Sequence, residues 1–129
     1  VGAPLVAVHA WSDVVEGERG LHRRHDDWAE LAEQGGDVLS EEVGAVAELR
    51  PGIAVRSELV HDTALRALLH QARDARLLVV GHRGHRPAQG MGLGSTSRAL
   101  VEFAPCPVIV TPPVPAPMTP PVRPTGAVR

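Results

Sequence analysis

With only one cysteine, Cys106, in its 129 residues, the chain cannot form an internal disulfide, and it fits a reducing, cytoplasmic setting. No apolar run approaches the roughly 20 residues that a helix needs to span a bilayer. Neither sign of charge dominates. Thirteen basic side chains face fifteen acidic ones for a formal net charge of −2, so nothing in the balance points to a nucleic-acid surface or a polybasic membrane anchor. Aromatic residues are scarce, with no tyrosine and one phenylalanine, while Ala, Arg, Gly and Pro are abundant. That composition resembles high-GC bacterial proteomes. The length allows one domain with a modest single core.

Leu5–Ala10 is an unbroken apolar run apart from His9, the pattern of a central strand covered on both faces. Trp11–His25 is polar and carries Gly17 and Gly20, so it reads as a loop. From Asp26 the pattern turns helical, with Trp28, Leu31, Ala32, Leu39, Val43 and Val46 on one stripe. Gly35-Gly36 interrupts the stripe at about 1 kcal/mol per glycine relative to alanine, which predicts a bend or a weak point. Pro51-Gly52 ends the helix. Ile53–Val60 alternates, with Ile53, Val55 and Leu59 against Arg56 and Glu58, as in a half-exposed edge strand.

Asp62 is placed to cap a helix whose buried face is Leu65, Leu68, Leu69 and Ala72. Leu77–Val80 reads as a second fully buried strand and Pro107–Thr111 as the last one. Strands alternating with helices imply a parallel sheet with crossover helices. From Pro112 the proline-rich run can build neither helix nor sheet, so 112–129 is expected to be an extended, disordered tail behind a domain of residues 1–111.

The chemistry gathers after Val80. Gly81-His82-Arg83-Gly84 is followed by nine residues and then Gly94-Ser95-Thr96, which opens a helical pattern running to Ala104. Glycines let the backbone approach a ligand closely, and the N–H groups of a helix's first turn face an anion. Amides around Gly84, Gly94, Ser95 and Thr96 would hold the phosphates of a nucleotide, with the Ser95 and Thr96 hydroxyls adding bonds. The competing reading is that these glycines only make tight turns. The complete spacing favours phosphate.

This Gly-x2-Gly-x9-Gly-Ser spacing, followed by Ala104-Pro-Cys-Pro-Val-Ile-Val-Thr, resembles the universal stress protein family. Leu5-Val-Ala-Val-His-Ala-Trp and Asp74-Ala-Arg-Leu-Leu-Val-Val-Gly extend the resemblance over nearly the whole chain. It implies an α/β, Rossmann-like fold of the adenine nucleotide alpha hydrolase-like type, with ATP or another adenine nucleotide as ligand. By the same resemblance Ala10 and Val80 line the adenine and ribose pocket at the carboxyl ends of their strands. Gly81 joins Gly84, Gly94, Ser95 and Thr96 as cofactor-binding.

Family members usually begin with a strand, an Asp-Gly-Ser-type turn and a first helix. This chain begins Val1-Gly2-Ala3-Pro4-Leu5, without an initiator methionine, like the end of that helix and the turn into the second strand. The expectation is an N-terminally incomplete copy from a longer protein with one or two such domains, which allows the second domain of a tandem. In the family the first strand lies between those at Leu5 and Leu77 and carries an Asp that contacts the nucleotide. Its absence predicts a sheet without a central ladder and weak nucleotide binding, unless the flanking strands close up. Each buried backbone group left unpaired costs on the order of 1–3 kcal/mol. Several such losses rival a domain's whole stability of about 5–15 kcal/mol.

The remaining polar residues support blander readings. His82, Arg83, His85 and Arg86 would screen phosphates, but a solvated loop explains them at least as well. His82-x2-His85 and His22-x2-His25 lack Cys or carboxylate partners at metal-site spacing, so no metal is expected. His9 reads as a satisfied core histidine, Cys106 as a small hydrophobe, and His61-Asp62 as a helix cap rather than a dyad. The apolar strand at 107–111 is a template for pairing. The resemblance implies a homodimer or tandem-domain pairing through it, unless the tail covers it. The expected role is an adenine-nucleotide-binding regulatory module in bacterial stress physiology rather than a dedicated enzyme, with weak ATP hydrolysis left open. The rival is a dimerisation module that binds no nucleotide.

Overall fold

Parallel strand pairs with helices laid across them make up the computed structural model, an α/β arrangement that describes residues 2–12, 14–17, 20–23, 28–82 and 92–113. In chain order the elements are β1 (Leu5–Trp11), β2 (Val14–Gly17), β3 (Gly20–Arg23), α1 (Trp28–Leu49), β4 (Val55–His61), α2 (Ala64–Ala72), β5 (Leu78–Gly81), α3 (Ser95–Phe103) and β6 (Val108–Thr111). β1 pairs with β4 in parallel, from Leu5 opposite Val55 to Trp11 opposite His61. β5 pairs with β6 in parallel, from Leu78 opposite Val108 to Gly81 opposite Thr111. No helix among the described residues is long and apolar enough to cross a membrane.

The two parallel pairs share no ladder. β1 is therefore not the central strand that its apolar run predicts, since among the described residues it pairs on one side only. Leu5 is exposed and Val6–Trp11 are half-buried. The expectation for Leu77–Val80 is corrected in the same way. Leu78 is buried and Val80 half-buried, but Leu77 is exposed and Val79 keeps 53% of its surface in solvent. Successive residues of a strand face opposite ways, and α2 and α3 cover only the Leu78 side. Val79 and its register partner Ile109, 49% exposed, lie on the other face.

The core is small. Ala72 of α2, Leu78 of β5 and Leu100 of α3 are its buried members, with Leu100 completely enclosed. Leu65, Leu68 and Leu69 pack against them from α2, in line with the apolar face read from the sequence. Cys106 and Val108 pack against the same cluster from the last turn and strand, so the cysteine does behave as a small hydrophobe. α2 also contacts β1, while α1 lies on β1 and β4.

Gly35-Gly36 causes no bend. α1 runs unbroken from Trp28 to Leu49, and Gly35 is buried in it. A Cβ on Gly35 would sit 3.1 Å from both His9 Cδ2 and Leu59 Cδ1, which are register partners on β1 and β4. The missing side chain lets the helix approach the sheet at this point, which places the half-buried His9 ring beneath the helix. The other stripe residues follow expectation, Leu39 buried and Leu31, Ala32, Val43 and Val46 half-buried, but Trp28 is 46% exposed.

Three further expectations change. The polar stretch after Trp11 holds an antiparallel hairpin, β2 with β3, whose last pair is Gly17 opposite Gly20. Polar residues and glycine are common in hairpins as well as in loops, so composition alone does not separate the two. Asp62 is not the N-cap of α2, because Thr63 occupies that position. The Asp62 carboxylate instead accepts the Thr63 N–H at 2.8 Å and pairs with Arg66 at 3.4 Å. The edge strand begins at Val55, leaving Ile53 outside it and exposed, and Leu59 stays partly exposed beside Gly35.

These contacts rank three substitutions in α1. Gly44→Ala meets nothing within 4 Å and Gly36→Ala only Leu59 Cδ2 at 3.9 Å, so each should stabilise the chain by up to about 1 kcal/mol through helix propensity. Gly35→Ala should lose that gain to the His9 and Leu59 contacts. Urea unfolding of the three variants checks the order. In the core, Leu100→Ala should cost about 3 kcal/mol by the same measurement.

Candidate functional site

The turn from β5 to α3 is tied at its base from three directions. The Gly81 carbonyl accepts the Ser97 hydroxyl at 2.7 Å, and Ser97 is only 6% exposed. The His82 N–H donates to the Thr111 carbonyl at 2.9 Å, extending the β5–β6 ladder. The Gly94 N–H donates to the His82 carbonyl at 3.0 Å, which joins the two ends of the loop. Thr111 adds its hydroxyl to the Val80 carbonyl at 3.3 Å.

Gly94 is the N-cap of α3 in an extended conformation, φ −59° and ψ 157°, and no side chain caps the helix. The first intrahelical bond runs from the Arg98 N–H to the Gly94 carbonyl at 2.9 Å. The amides of Ser95, Thr96 and Ser97 therefore precede the helical ladder, at the positive end of the helix dipole. A phosphate or carboxylate oxygen is the natural acceptor for such a set.

The expected site residues distribute as follows. Gly81 ends β5, Val80 precedes it half-buried, and Gly94, Ser95 and Thr96 form the start of α3, so these five lie in one turn. Ala10 sits half-buried near the end of β1, opposite Val60, in the other parallel pair. No backbone ladder joins it to β5. Gly84, with Arg83, His85 and Arg86, lies outside the described residues, as does His25. Among the described residues no group of three His, Cys, Asp or Glu could hold a metal.

Ser97 is the residue that the sequence reading missed. It stands third in the run Ser95-Thr96-Ser97, at the third helical position, where a side chain turns back toward the preceding strand. A hydroxyl there braces the loop instead of facing a ligand. The His82 side chain is a second addition. Its Nδ1 is buried and has no hydrogen-bond partner among the described residues, at the point where the loop leaves β5.

The carboxyl ends of the other pair carry an aromatic group. Trp11 and His61 stack with ring centroids 4.1 Å apart and planes 7° apart, and Trp28 meets His61 edge-on at 5.2 Å.

Comparison with known proteins agrees with this geometry. A sequence model of the Universal stress protein family matches residues 1–112. Universal stress protein Rv2623 of Mycobacterium tuberculosis is 36% identical over 107 residues, covering 82% of this chain and 34% of the relative. Universal stress protein Rv1996 of the same organism is 36% identical over 111 residues, 84% of this chain and 35% of the relative. Universal stress protein Rv2005c is 37% identical over 110 residues, 84% and 36% respectively. The chain thus spans about a third of the length of these relatives. With an α/β arrangement of parallel pairs and a glycine-spaced turn that feeds α3, the chain belongs to the universal stress protein family.

Proposed function

We propose that this chain is an adenine-nucleotide-binding regulatory module of the bacterial cytoplasm, serving a stress response, with ATP as the ligand. The observation that carries the reading is the uncapped start of α3. Three amides face away from the helix at Ser95, Thr96 and Ser97, and the Ser97 and His82 bonds hold them to the end of β5. Fixed donors bind an anion without first being ordered, which is where much binding energy is otherwise lost. Val80 and Ala10 supply apolar surface for the base and sugar, and nucleotide occupancy biases the geometry of a dimer or partner.

The module is not a dedicated enzyme in this proposal. Between residues 92 and 113 the one carboxylate is Glu102, at the far end of α3 from the cradle. A water bound beside a phosphate at Ser95 would have no base on this helix within hydrogen-bond reach.

A second reading, a dimerisation module without nucleotide, is favoured by β6. Among the described residues it pairs only with β5, and the Val79 and Ile109 face beside it is open. An unpaired apolar edge is a template for a second copy of the same strand.

Proline at the first helical position separates the two readings. Gly94 already has the extended conformation that a residue before proline prefers, and proline is well tolerated at the first position of a helix. Ser95→Pro therefore removes one cradle amide while leaving α3 intact. Calorimetric titration should show ATP binding weakened about tenfold by Ser95→Pro, the loss of one charge-assisted bond, and much less by Ser95→Ala. Ser97→Ala should weaken ATP binding and lower the melting temperature together. Absence of ATP heat in the unaltered chain, with dimers present in sedimentation, would favour the second reading.

A further inference from the structure

Among the described residues β4 pairs with β1 alone, so one of its edges is open. The Ala54 carbonyl accepts the Leu5 N–H at 2.9 Å, which turns the backbone of residue 54 toward β1. In a parallel ladder that direction alternates along the strand. Arg56, Glu58 and Val60 therefore also bond inward, while the amides and carbonyls of Val55, Ser57 and Leu59 face the open side. Such a row is a template for a further strand.

The sequence Val55-Arg56-Ser57-Glu58-Leu59 is complementary to itself about Ser57. A second copy laid antiparallel, Ser57 opposite Ser57, sets Arg56 opposite Glu58 twice and Val55 opposite Leu59 twice. The outward backbone groups make the Ser57 match and both Val55–Leu59 matches hydrogen-bonded pairs. Arg56 and Glu58 then fall at non-hydrogen-bonded positions, where cross-strand side chains stand closest, with Cα atoms about 4.5 Å apart. Centring the pair on Arg56 or on Glu58 would set like charges opposite each other, so the same pattern selects the register. Within one chain the two charges are loosely engaged. Arg56 Nη2 lies 3.9 Å from Glu58 Oε1, and the side chains are 67% and 42% exposed. Leu59, itself 40% exposed, gains an apolar neighbour in the pairing.

We propose that β4 is a self-complementary edge through which two copies of this chain associate, their β4 strands antiparallel about Ser57. The order across the joined sheet is β1, β4, the second β4 and the second β1. The two-fold axis stands perpendicular to that sheet, so α1 of each copy lies on the same face. This surface is separate from β6 and from the start of α3, and the association needs no nucleotide.

Sedimentation of the unaltered chain should show a monomer–dimer equilibrium. Arg56→Glu or Glu58→Arg alone sets like charges opposite at both positions and should raise the dissociation constant about tenfold. Both substitutions in one chain should restore association, because opposite charges meet again. Mixing the two single variants should give heterodimers, which no pairing within a chain explains. Ser57→Pro should abolish the dimer, since it removes the outward N–H at the centre and leaves the bonds to β1 in place. Should Ser57→Pro fail to fold, the charge variants decide, because both side chains are exposed. Three results overturn the proposal: a chain that is monomeric wherever it is soluble, a dimer indifferent to these substitutions, as one formed through β6 would be, or a double variant that stays apart.

Discussion

The contact among Ala72, Leu78 and Leu100 is what the rest of the chain hangs on. It joins α2, β5 and α3, and α2 reaches from there to β1. β1 and β5 share no ladder, so among the described residues the two parallel pairs meet through α2, which packs on β5 and α3 and contacts β1. Such a joint is non-directional and scales with apolar area. It sets which elements are neighbours but leaves their fine alignment to other forces. The hydroxyl and carbonyl ties at the ends of β5 and β6 supply that alignment.

Those ties set the start of α3, the proposed site, apart from an ordinary helix end. The cradle amides belong to one element and the strand end to another, and a ligand that touches both needs their separation fixed. Ser97 provides a short bond inside a nearly closed environment, where a hydrogen bond is stronger than in water. The His82 bonds extend the same brace to Thr111 and Gly94. Helix dipole, amides that precede the helical ladder and bracing therefore coincide within a few residues.

Much of this was legible in the sequence, because apolar periodicity and glycine spacing are local signals. β1, α2, α3 and β6 stand close to where periodicity placed them, with Gly81 closing β5 and Ser95 and Thr96 opening α3. The failures share a cause. An apolar run such as Leu77–Val80 records a capacity for burial, while the cover comes from elements far away in the chain. A glycine pair in a helix looks the same whether it weakens the helix or lets it approach a sheet, and only the positions of His9 and Leu59 decide for Gly35. Gly17 and Gly20 mark a turn without saying whether strands flank it. Ser97 was hidden beside two similar hydroxyls, and the Trp11–His61 stack exists only through strand register.

Joining the His82 carbonyl to the Gly94 amide has a consequence for how this chain can vary. The tie is made by backbone atoms alone, so it does not depend on which side chains His82 and Gly94 carry or on those that stand between them. A substitution in that interval can therefore change the charge presented near the start of α3 while the bond that fixes Gly94 against the end of β5 is kept.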